Sequence, residues 1–323
     1  MAVMVTGALG FVGINVCARL ASDGDRVVAV ARNDPDENAV RFLAPAREAV
    51  TFRRCDIRDS HTLSDIFSKD GVESVIHGAV ITANRPEDER LLLSEATSVN
   101  VGGTATLLEV AARKGVQDFI YISSASVYGY AHGAKRKLTE KTPPKPTGLY
   151  AITKLASELI CARVAQVCGM RLVILRIAQP YGPMERRTGG RALVSAIYDW
   201  IAAAIRAEEV AVPDGKPYRD YTYITDITDG IVRASRSDQE GVFNLSLGKS
   251  YSLEDILREI RNCFPEFRFR LGEGQLRLDM NPQNVRPPLD CSRTRREFGF
   301  RPTVNLPEGI AKYAEWVRSF GVP

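Results

Sequence analysis

The sequence of 323 residues is poor in the side chains that usually bind metals and in long apolar runs. It has three histidines and six cysteines, and no two cysteines form a Cys-x-x-Cys pair, so no metal site is predicted. No apolar run reaches about 18 residues, and the apolar N-terminus follows no basic segment. We therefore expect neither a membrane span nor a signal peptide, but a cytoplasmic protein with reduced cysteines.

Strong charge is also missing. The net charge of +4 is small for this length, and the basic clusters are short and interspersed with acidic residues. Nucleic-acid binding is therefore not predicted. The hydrophobic content of 45% is enough for one large core with a smaller lobe. Short apolar runs alternate with helical patterns through the first half of the chain, which predicts an α/β fold with a doubly wound parallel sheet.

Three glycines follow the first predicted strand. Gly7, Gly10 and Gly13 stand in the pattern Gly-x-x-Gly-x-x-Gly, and a helical pattern begins within it. Gly7 permits a tight turn, Gly10 allows a pyrophosphate to approach the backbone, and Gly13 allows close packing of helix on strand. This context predicts a dinucleotide site on a Rossmann sheet, with Phe11 and Val12 as further contacts.

The end of the second predicted strand bears on the choice of cofactor. NAD-binding proteins of this fold place an acidic residue there to accept the ribose hydroxyls, whereas this chain has Ala31 followed by Arg32. A guanidinium suits a 2′-phosphate, so NADP is slightly favoured over NAD. The alternative is that Arg32 is an ordinary exposed loop residue, and Asp34 and Asp36 just beyond weaken the preference.

Two further strand ends carry predicted cofactor contacts. The third strand ends at Asp56-Ile57, where a carboxylate can accept from an adenine amino group while Ile57 covers the ring. The alternative is an Asp that only starts the next loop. The fourth strand is followed by the small residues Gly78, Ala79 and Val80, which would let the backbone approach the cofactor. His77 before them is interpreted as structural.

Tyr150 and Lys154 form the predicted catalytic pair. They stand four residues apart in a helical pattern, about one turn, so both lie on one helix face. A nearby ammonium should lower the pKa of the phenol from its reference of about 10. The fifth strand ends in a cluster of hydroxyls at Ser123, Ser124 and Ser126, and active groups of open parallel sheets gather at such ends.

Taken together, these motifs resemble the extended short-chain dehydrogenase/reductase family, in particular its nucleotide-sugar epimerases and dehydratases. The resemblance covers most of the chain and rests on residues 6–13, 56–57, 77–79, 100–104, 123–129 and 150–154. It implies that Tyr150 is the acid/base, that Lys154 binds the nicotinamide ribose, and that Ser124 hydrogen-bonds the substrate oxygen. Dehydratases carry Thr-Asp-Glu where this chain has 124–126, Ser-Ala-Ser, so dehydration is not expected.

The resemblance implies further contacts as well. Asn100, Ser123 and Ile177 would join the cofactor site. Ser126, Gln179, Arg219 and Arg286 would bind substrate, although the family usually has Asn where Gln179 stands. A salt bridge within the chain is the alternative role for Arg219, and the spacer after Arg286 is shorter than usual. The run 184–190 is predicted to be a polar loop without an assigned role.

We therefore predict an NAD(P)-dependent epimerase that acts on a nucleotide sugar through a keto intermediate. The alternative is a net dehydrogenase or reductase of a small sugar acid or other carbonyl compound. Residues 1–177, with about 219–245, would form the NAD(P)-binding Rossmann domain. About 178–218 and 246–323 would form the substrate-binding lobe. The resemblance also implies a homodimer built from the helices at 87–114 and 149–167.

Overall fold

A seven-stranded parallel sheet forms the centre of the computed structural model, which describes residues 2–130, 136–274 and 285–322. Its strands are β1 (Ala2–Thr6), β2 (Arg26–Ala31), β3 (Val50–Arg54), β4 (Ser74–His77), β5 (Asp118–Ser124), β6 (Arg171–Ile177) and β11 (Gly241–Leu245). They lie in the order β11-β6-β5-β4-β1-β2-β3. This order confirms the doubly wound α/β fold predicted from the sequence.

Short strands lie outside this sheet in three pairs. They are β7 (Gln179–Tyr181), β8 (Val210–Val212), β9 (Tyr218–Arg219), β10 (Tyr221–Tyr223), β12 (Tyr251–Ser252) and β13 (Phe269–Leu271). In these pairs β10 joins β7, β12 joins β9 and β13 joins β8.

Helices cover both faces of the sheet because its central strands are apolar on both sides; every residue of β1 is buried. The helices are α1 (Phe11–Ser22), α2 (Glu37–Leu43), α3 (Ser60–Asp70), α4 (Pro86–Thr97), α5 (Thr104–Arg113), α6 (Leu149–Cys168), α7 (Ala196–Ile205), α8 (Ile224–Ser235), α9 (Leu253–Cys263), α10 (Ser292–Phe298) and α11 (Leu306–Phe320). None that lies in the described ranges is long and apolar enough to cross a membrane.

The segment predicted as one helix over 87–114 is interrupted. A π-helical turn, Ser98–Gly103, separates α4 from α5. Gly103 in this turn lies against the side chain of Ile57, where an added Cβ would stand 2.6 Å from it. The interruption therefore coincides with close packing against the loop after β3, next to the predicted cofactor site.

The three largest clusters of buried residues in the described ranges form most of the core. One lies on each face of the sheet, and the third lies beyond it. Trp200, Leu257 and Tyr313 belong to the third cluster, which joins α7, α9 and α11. Tyr221 belongs to it as well, although 219–245 was assigned to the sheet domain. The domain boundaries stay a prediction, and 275–284 of the predicted lobe lies outside the described residues.

Candidate active site

The turn after β1 leaves no space for side chains at Gly7 and Gly13. Gly7 has a left-handed φ of +68°, and a Cβ there would stand 2.7 Å from the backbone nitrogen of Ala79. A Cβ on Gly13 would stand 2.2 Å from the carbonyl oxygen of Gly7. Because both contacts are with backbone, the turn packs tightly against α1 and the loop after β4, and its bare backbone can receive a phosphate group.

A cleft of about 710 Å³ opens above the carboxyl ends of the strands at this turn. This volume lies in the usual range of ligand sites, so a dinucleotide fits the residues present. The predicted site residues that line it are Gly7, Gly10, Phe11, Val12, Gly13, Arg32, Ile57, Gly78, Ala79, Val80, Ser123, Ser124, Tyr150, Lys154, Ile177 and Gln179.

Two predicted cofactor residues, Asp56 and Asn100, do not line this cleft. The carboxylate of Asp56 accepts from the backbone nitrogen and guanidinium of Arg58 at 2.7–2.9 Å. The Asn100 amide is 2% exposed and bonds both backbone groups of Ile81 and the hydroxyl of Thr153. These two side chains therefore hold neighbouring segments in place, namely the loop after β3 and the loop after β4.

Arg32 lines the cleft, but its guanidinium already has a partner. It donates to Glu95 at 3.2 Å, and Glu95 also accepts from Arg58, the partner of Asp56. Both Arg32 and Glu95 are roughly half exposed. A 2′-phosphate would therefore compete with the Glu95 carboxylate for Arg32.

A second, smaller pocket of about 140 Å³ adjoins the cleft. It is lined by all of the predicted substrate residues, Ser124, Ser126, Gln179, Arg219 and Arg286, together with Tyr150. Ser124, Tyr150 and Gln179 line both cavities. The predicted catalytic hydroxyls therefore stand where the two cavities meet.

Two arginines give the smaller pocket its positive charge. Arg286 donates to the carbonyl of Gly129 at 3.1 Å and lies beside the ring of Tyr130. Burial, followed by the neighbouring charge of Arg219, lowers the pKa of Arg286 to about 10. It therefore keeps its charge at neutral pH, and an anion in the pocket would relieve the repulsion between the two guanidinium groups.

The structure corrects the expected electrostatics of Tyr150. Lys154 was predicted to lower its pKa, but burial raises the pKa of Tyr150 above its ordinary value. Within the described part of the chain, the groups that oppose this rise are Ser124, through a hydrogen bond, and the charges of Arg191 and Arg286. The loss of hydration outweighs them in the ligand-free site.

Lys154 lies at the cleft wall with its own fixed partners. Its ammonium donates to the carbonyl of Ile122 at 2.6 Å and lies 4.7 Å from the centre of the Tyr121 ring. Burial lowers the pKa of Lys154 to about 8, although Cys161 and Glu158 act in the opposite direction. The group is therefore charged at neutral pH and close to titration.

A buried ion pair that the sequence reasoning missed lies behind Lys154. The Arg176 guanidinium donates three hydrogen bonds to Glu158, at 2.6, 3.0 and 3.2 Å, and the Ser123 hydroxyl donates to the same carboxylate. Ser123 was predicted as a cofactor contact, but in this structure its hydroxyl donates a hydrogen bond to Glu158. The available signal was spacing, since Glu158 stands one helical turn after Lys154.

His77 has the structural role that was predicted. Its ring nitrogens bond the hydroxyls of Thr6 at 2.6 Å and Thr104 at 2.8 Å. The Thr104 hydroxyl donates to the carbonyl of Asn100, so it accepts from Nε2 of His77 and leaves Nδ1 to accept from Thr6. Burial, and then the charge of Lys154, lowers the pKa of His77 to about 3, which keeps the ring neutral.

The loop after β7 also lines the cleft, and sequence reasoning gave it no role. Arg186, Arg187 and Arg191 all reach the cleft from this loop. The three arginines occur within six residues that follow a strand end, which was a usable signal for an anion site.

Metal binding has no visible basis in the described ranges. They contain no group of three or more His, Cys, Asp or Glu side chains placed to hold a metal ion. All six cysteines are free thiols.

Proteins of similar sequence include NAD-dependent epimerases. The sequence profile of the NAD dependent epimerase/dehydratase family matches residues 3–246. The UDP-glucose 4-epimerase of Mycolicibacterium smegmatis is 32% identical over 330 residues, which cover 99% of each chain. UDP-glucuronate 4-epimerase 4 of Arabidopsis thaliana is 27% identical, covering 98% of this chain and 75% of that relative.

Solved structures show the same fold. The UDP-glucose 4-epimerase of Thermotoga maritima, solved with UDP-glucose, superposes with a TM-score of 0.85 at 24% identity over 99% of each chain. MoeE5, solved in complex with UDP-glucuronic acid and NAD, superposes with a TM-score of 0.82 at 28% identity, again over 99% of each chain.

A doubly wound sheet with a glycine turn and a Tyr–Lys pair at one edge defines an enzyme of the extended short-chain dehydrogenase/reductase type. The chain belongs to the NAD dependent epimerase/dehydratase family within that class. The family resemblance predicted from the sequence motifs is thereby confirmed.

The low pKa of Lys154 predicts a pH-dependent effect on stability. Between about 8 and the ordinary value of 10.5, the unfolded chain binds more protons at this lysine than the folded chain does. The destabilising effect of the buried charge is therefore full below pH 8 and disappears as the pH rises to 10.5. Lys154→Met should stabilise the protein more at pH 7 than at pH 10, with a difference of up to about 3 kcal/mol.

Urea unfolding of both proteins at the two pH values measures this difference. An equal effect of Lys154→Met at pH 7 and pH 10 would mean that Lys154 titrates as an exposed lysine does.

Proposed function

We propose that this protein is an NAD-dependent epimerase that acts on a nucleoside diphosphate sugar. The observation that carries the proposal is the position of Ser124 and Tyr150 between two different cavities. One cavity has the bare glycine turn that suits a dinucleotide, and the other has two arginines that suit a diphosphate. The curated relatives include UDP-glucose and UDP-glucuronate 4-epimerases, which supports this choice of substrate class.

The cleft would hold a nicotinamide dinucleotide at the glycine turn, and this group would supply the acceptor, and later the donor, of a hydride for one carbinol carbon of the sugar. Tyr150 would accept the proton of the carbinol hydroxyl and give it back, while Ser124 bonds the same oxygen. The charges of Arg191 and Arg286 would favour the phenolate against the effect of burial. Lys154 would add a further positive charge to the site and bind the nicotinamide ribose.

The smaller pocket supplies the anchor that an epimerase needs. The sugar must present its other face to the returning hydride, so the nucleotide has to stay fixed while the sugar rotates. Arg219 and Arg286 would hold the diphosphate and Gln179 would contact the substrate. The hydroxyl oxygen of Ser126 is buried without a partner in the described part of the chain, so a ligand hydroxyl could satisfy it.

The alternative remains a net dehydrogenase of a small sugar acid or other carbonyl compound. It would use the same hydroxyls but release reduced cofactor. Two departures from the family pattern favour it, namely Gln179 in place of Asn and the short spacer after Arg286. Both lie on the substrate side of the site, so they bear on which compound binds rather than on hydride transfer.

Product analysis with UDP-glucose, UDP-galactose and their uronic acids separates the two functions. An epimerase interconverts a pair of these sugars without lasting absorbance at the wavelength of reduced nicotinamide, whereas a dehydrogenase yields one reduced cofactor per product.

Tyr150→Phe should lower turnover by at least about a thousandfold because it removes the acid/base but leaves the ring packing in place.

The unfolding midpoint and the affinity of Tyr150→Phe for UDP provide the controls, and both should match the original protein. Normal turnover by this variant would contradict the assignment of Tyr150. Substrates that fail to bind at all would contradict the proposed substrate class.

For the cofactor we propose NAD, in keeping with the family and with the NAD bound to MoeE5. The slight preference for NADP that followed from Arg32 stays a prediction. The ion pair with Glu95 argues against it, since the guanidinium is not free to receive a 2′-phosphate without losing that partner. The absence of an acidic side chain at Ala31 argues for it, because nothing there repels the phosphate.

Arg32→Asp tests which argument prevails. If Arg32 selects the 2′-phosphate, the variant should bind NADP at least about tenfold more weakly while its affinity for NAD stays within about twofold. Titration of the protein with both reduced cofactors by fluorescence measures the two dissociation constants. An unchanged ratio of the two constants would remove Arg32 from cofactor selection.

The predicted homodimer and cytoplasmic location also remain proposals. The dimer has support from apolar side chains on the outer faces of the predicted helices: Leu91 is 83% exposed and Leu159 is 64% exposed. Such exposure on neighbouring helices is typical of a protein–protein contact.

Light scattering should give the mass of two chains, and Leu159→Glu should reduce it to one because a buried charge opposes association. A single-chain mass for the unmodified protein would contradict the dimer.

A further inference from the structure

The loop at 184–193, which we call the arginine loop, is held firmly at its base. Glu185 is fully buried, and its carboxylate accepts from the backbone nitrogen and hydroxyl of Ser195 at 2.8 and 2.7 Å. The same carboxylate pairs with Arg191 at 2.7 Å. Across the cleft, the backbone nitrogen of Thr82 donates to the carbonyl of Gly190 at 2.7 Å. The loop therefore lies in a defined position beside the cleft.

Arg186 extends from this loop to two other strand-end loops. Its guanidinium donates to Oδ2 of Asp36 at 2.7 Å and to the carbonyl oxygen of Leu9 at 3.3 Å. Leu9 belongs to the glycine turn after β1, and Asp36 follows β2 and caps α2 by accepting from the backbone nitrogen of Ala39 at 2.8 Å. Arg186, Asp36 and Leu9 all line the cleft, so this bridge forms part of its wall.

The bridge joins the two loops that hold the adenosine half of a dinucleotide in this fold. The pyrophosphate of such a cofactor lies at the glycine turn, and its ribose lies at the end of the second strand. The side chain of Arg186 is 11% exposed, which favours a fixed geometry for its bonds. Burial tends to raise the pKa of Asp36, but the hydrogen bonds from Ala39 and Arg186 outweigh it and lower the pKa, so the carboxylate is charged at neutral pH.

The other two arginines of the loop do not make this connection. Arg187 pairs with Asp199 on α7 at 2.6 Å, and Arg191 pairs with Glu185 within the loop itself. Among the arginines of the loop, Arg186 alone donates hydrogen bonds to the loops after β1 and β2 in the described structure.

We propose that Arg186 is a retention residue, whose bonds to Asp36 and Leu9 slow the release of the dinucleotide from the cleft. This inference rests on the proposed function, because an epimerase must keep its reduced cofactor until the hydride returns. Loss of the bridge would let reduced cofactor escape during the catalytic cycle. The bridge would therefore help to separate epimerisation from net oxidation in this protein.

The test measures how fast bound cofactor leaves the full-length protein. The protein is loaded with reduced NAD, and an excess of oxidised NAD then displaces it while the fluorescence of the bound form decays. Arg186→Gln removes the charge and keeps a long polar side chain. Asp36→Asn keeps an oxygen that caps Ala39, but it presents an amide N–H group to the guanidinium in place of Oδ2.

Each variant should release the cofactor about tenfold faster than the original protein. The double variant should be no faster than either single variant, because both substitutions break the same bridge. Arg41→Gln is the matched control, because Arg41 lies on α2 and the variant loses the same charge. In the described structure the Arg41 guanidinium donates to the backbone oxygens of Ser319 and Phe320 and lies over the Phe320 ring, away from the cleft. Its release rate should stay unchanged, and ligand-free unfolding midpoints identify any variant that has lost its fold.

Two results would overturn the proposal. Unchanged release from Arg186→Gln would show that the bridge does not hold the cofactor. Faster release from Arg186→Gln with unchanged release from Asp36→Asn would show that Arg186 acts without its partner. A protein that binds no reduced NAD at all would instead contradict the proposed function, so the two failures can be told apart.

Discussion

Parallel pairing of the strands in register is the constraint on which the site depends. Pairing of Thr6 with His77 places the glycine turn beside the loop that carries Gly78 and Ala79. Pairing of Ser124 with Ile177 places the hydroxyl cluster beside the start of the smaller pocket. Because the strands are parallel, all of these ends lie at one edge of the sheet, and residues far apart in the chain share one cleft.

Burial opposes the ionisation of both catalytic side chains, Tyr150 and Lys154. It raises the pKa of Tyr150 and lowers that of Lys154. The ligand-free site therefore holds a neutral phenol beside a lysine that is close to losing its proton. Positive charge from Arg191 in the cleft and from Arg286 in the smaller pocket partly offsets this cost, so both cavities contribute to the electrostatics of Tyr150.

The fold and the residues of the cleft could be predicted because they follow local patterns. Gly7, Gly10 and Gly13 stand in one short motif, and Tyr150 and Lys154 stand one helical turn apart. Contacts between distant segments could not be predicted in this way. Nothing in the local sequence shows that Glu95 pairs with both Arg32 and Arg58.

The same limit explains what the sequence reasoning missed. The direction of the Tyr150 pKa depends on how much water the fold removes, which spacing along a helix does not reveal. The Arg186 bridge joins two residues, Arg186 and Asp36, that lie 150 positions apart in the chain. The arginine-rich composition of its loop could indicate an anion site, but it could not identify the partners of Arg186. Such a run is more often a solvated surface than a site.

The central claim is that a hydride leaves one carbon of the sugar and returns to the same carbon while Tyr150 moves only the hydroxyl proton. A substrate that carries deuterium on the carbon that is inverted tests this directly, with the product analysed by mass spectrometry and nuclear magnetic resonance. The account predicts an epimer that keeps its deuterium in ordinary water. Loss of the deuterium to solvent would show that the carbon is deprotonated instead, and would contradict the account.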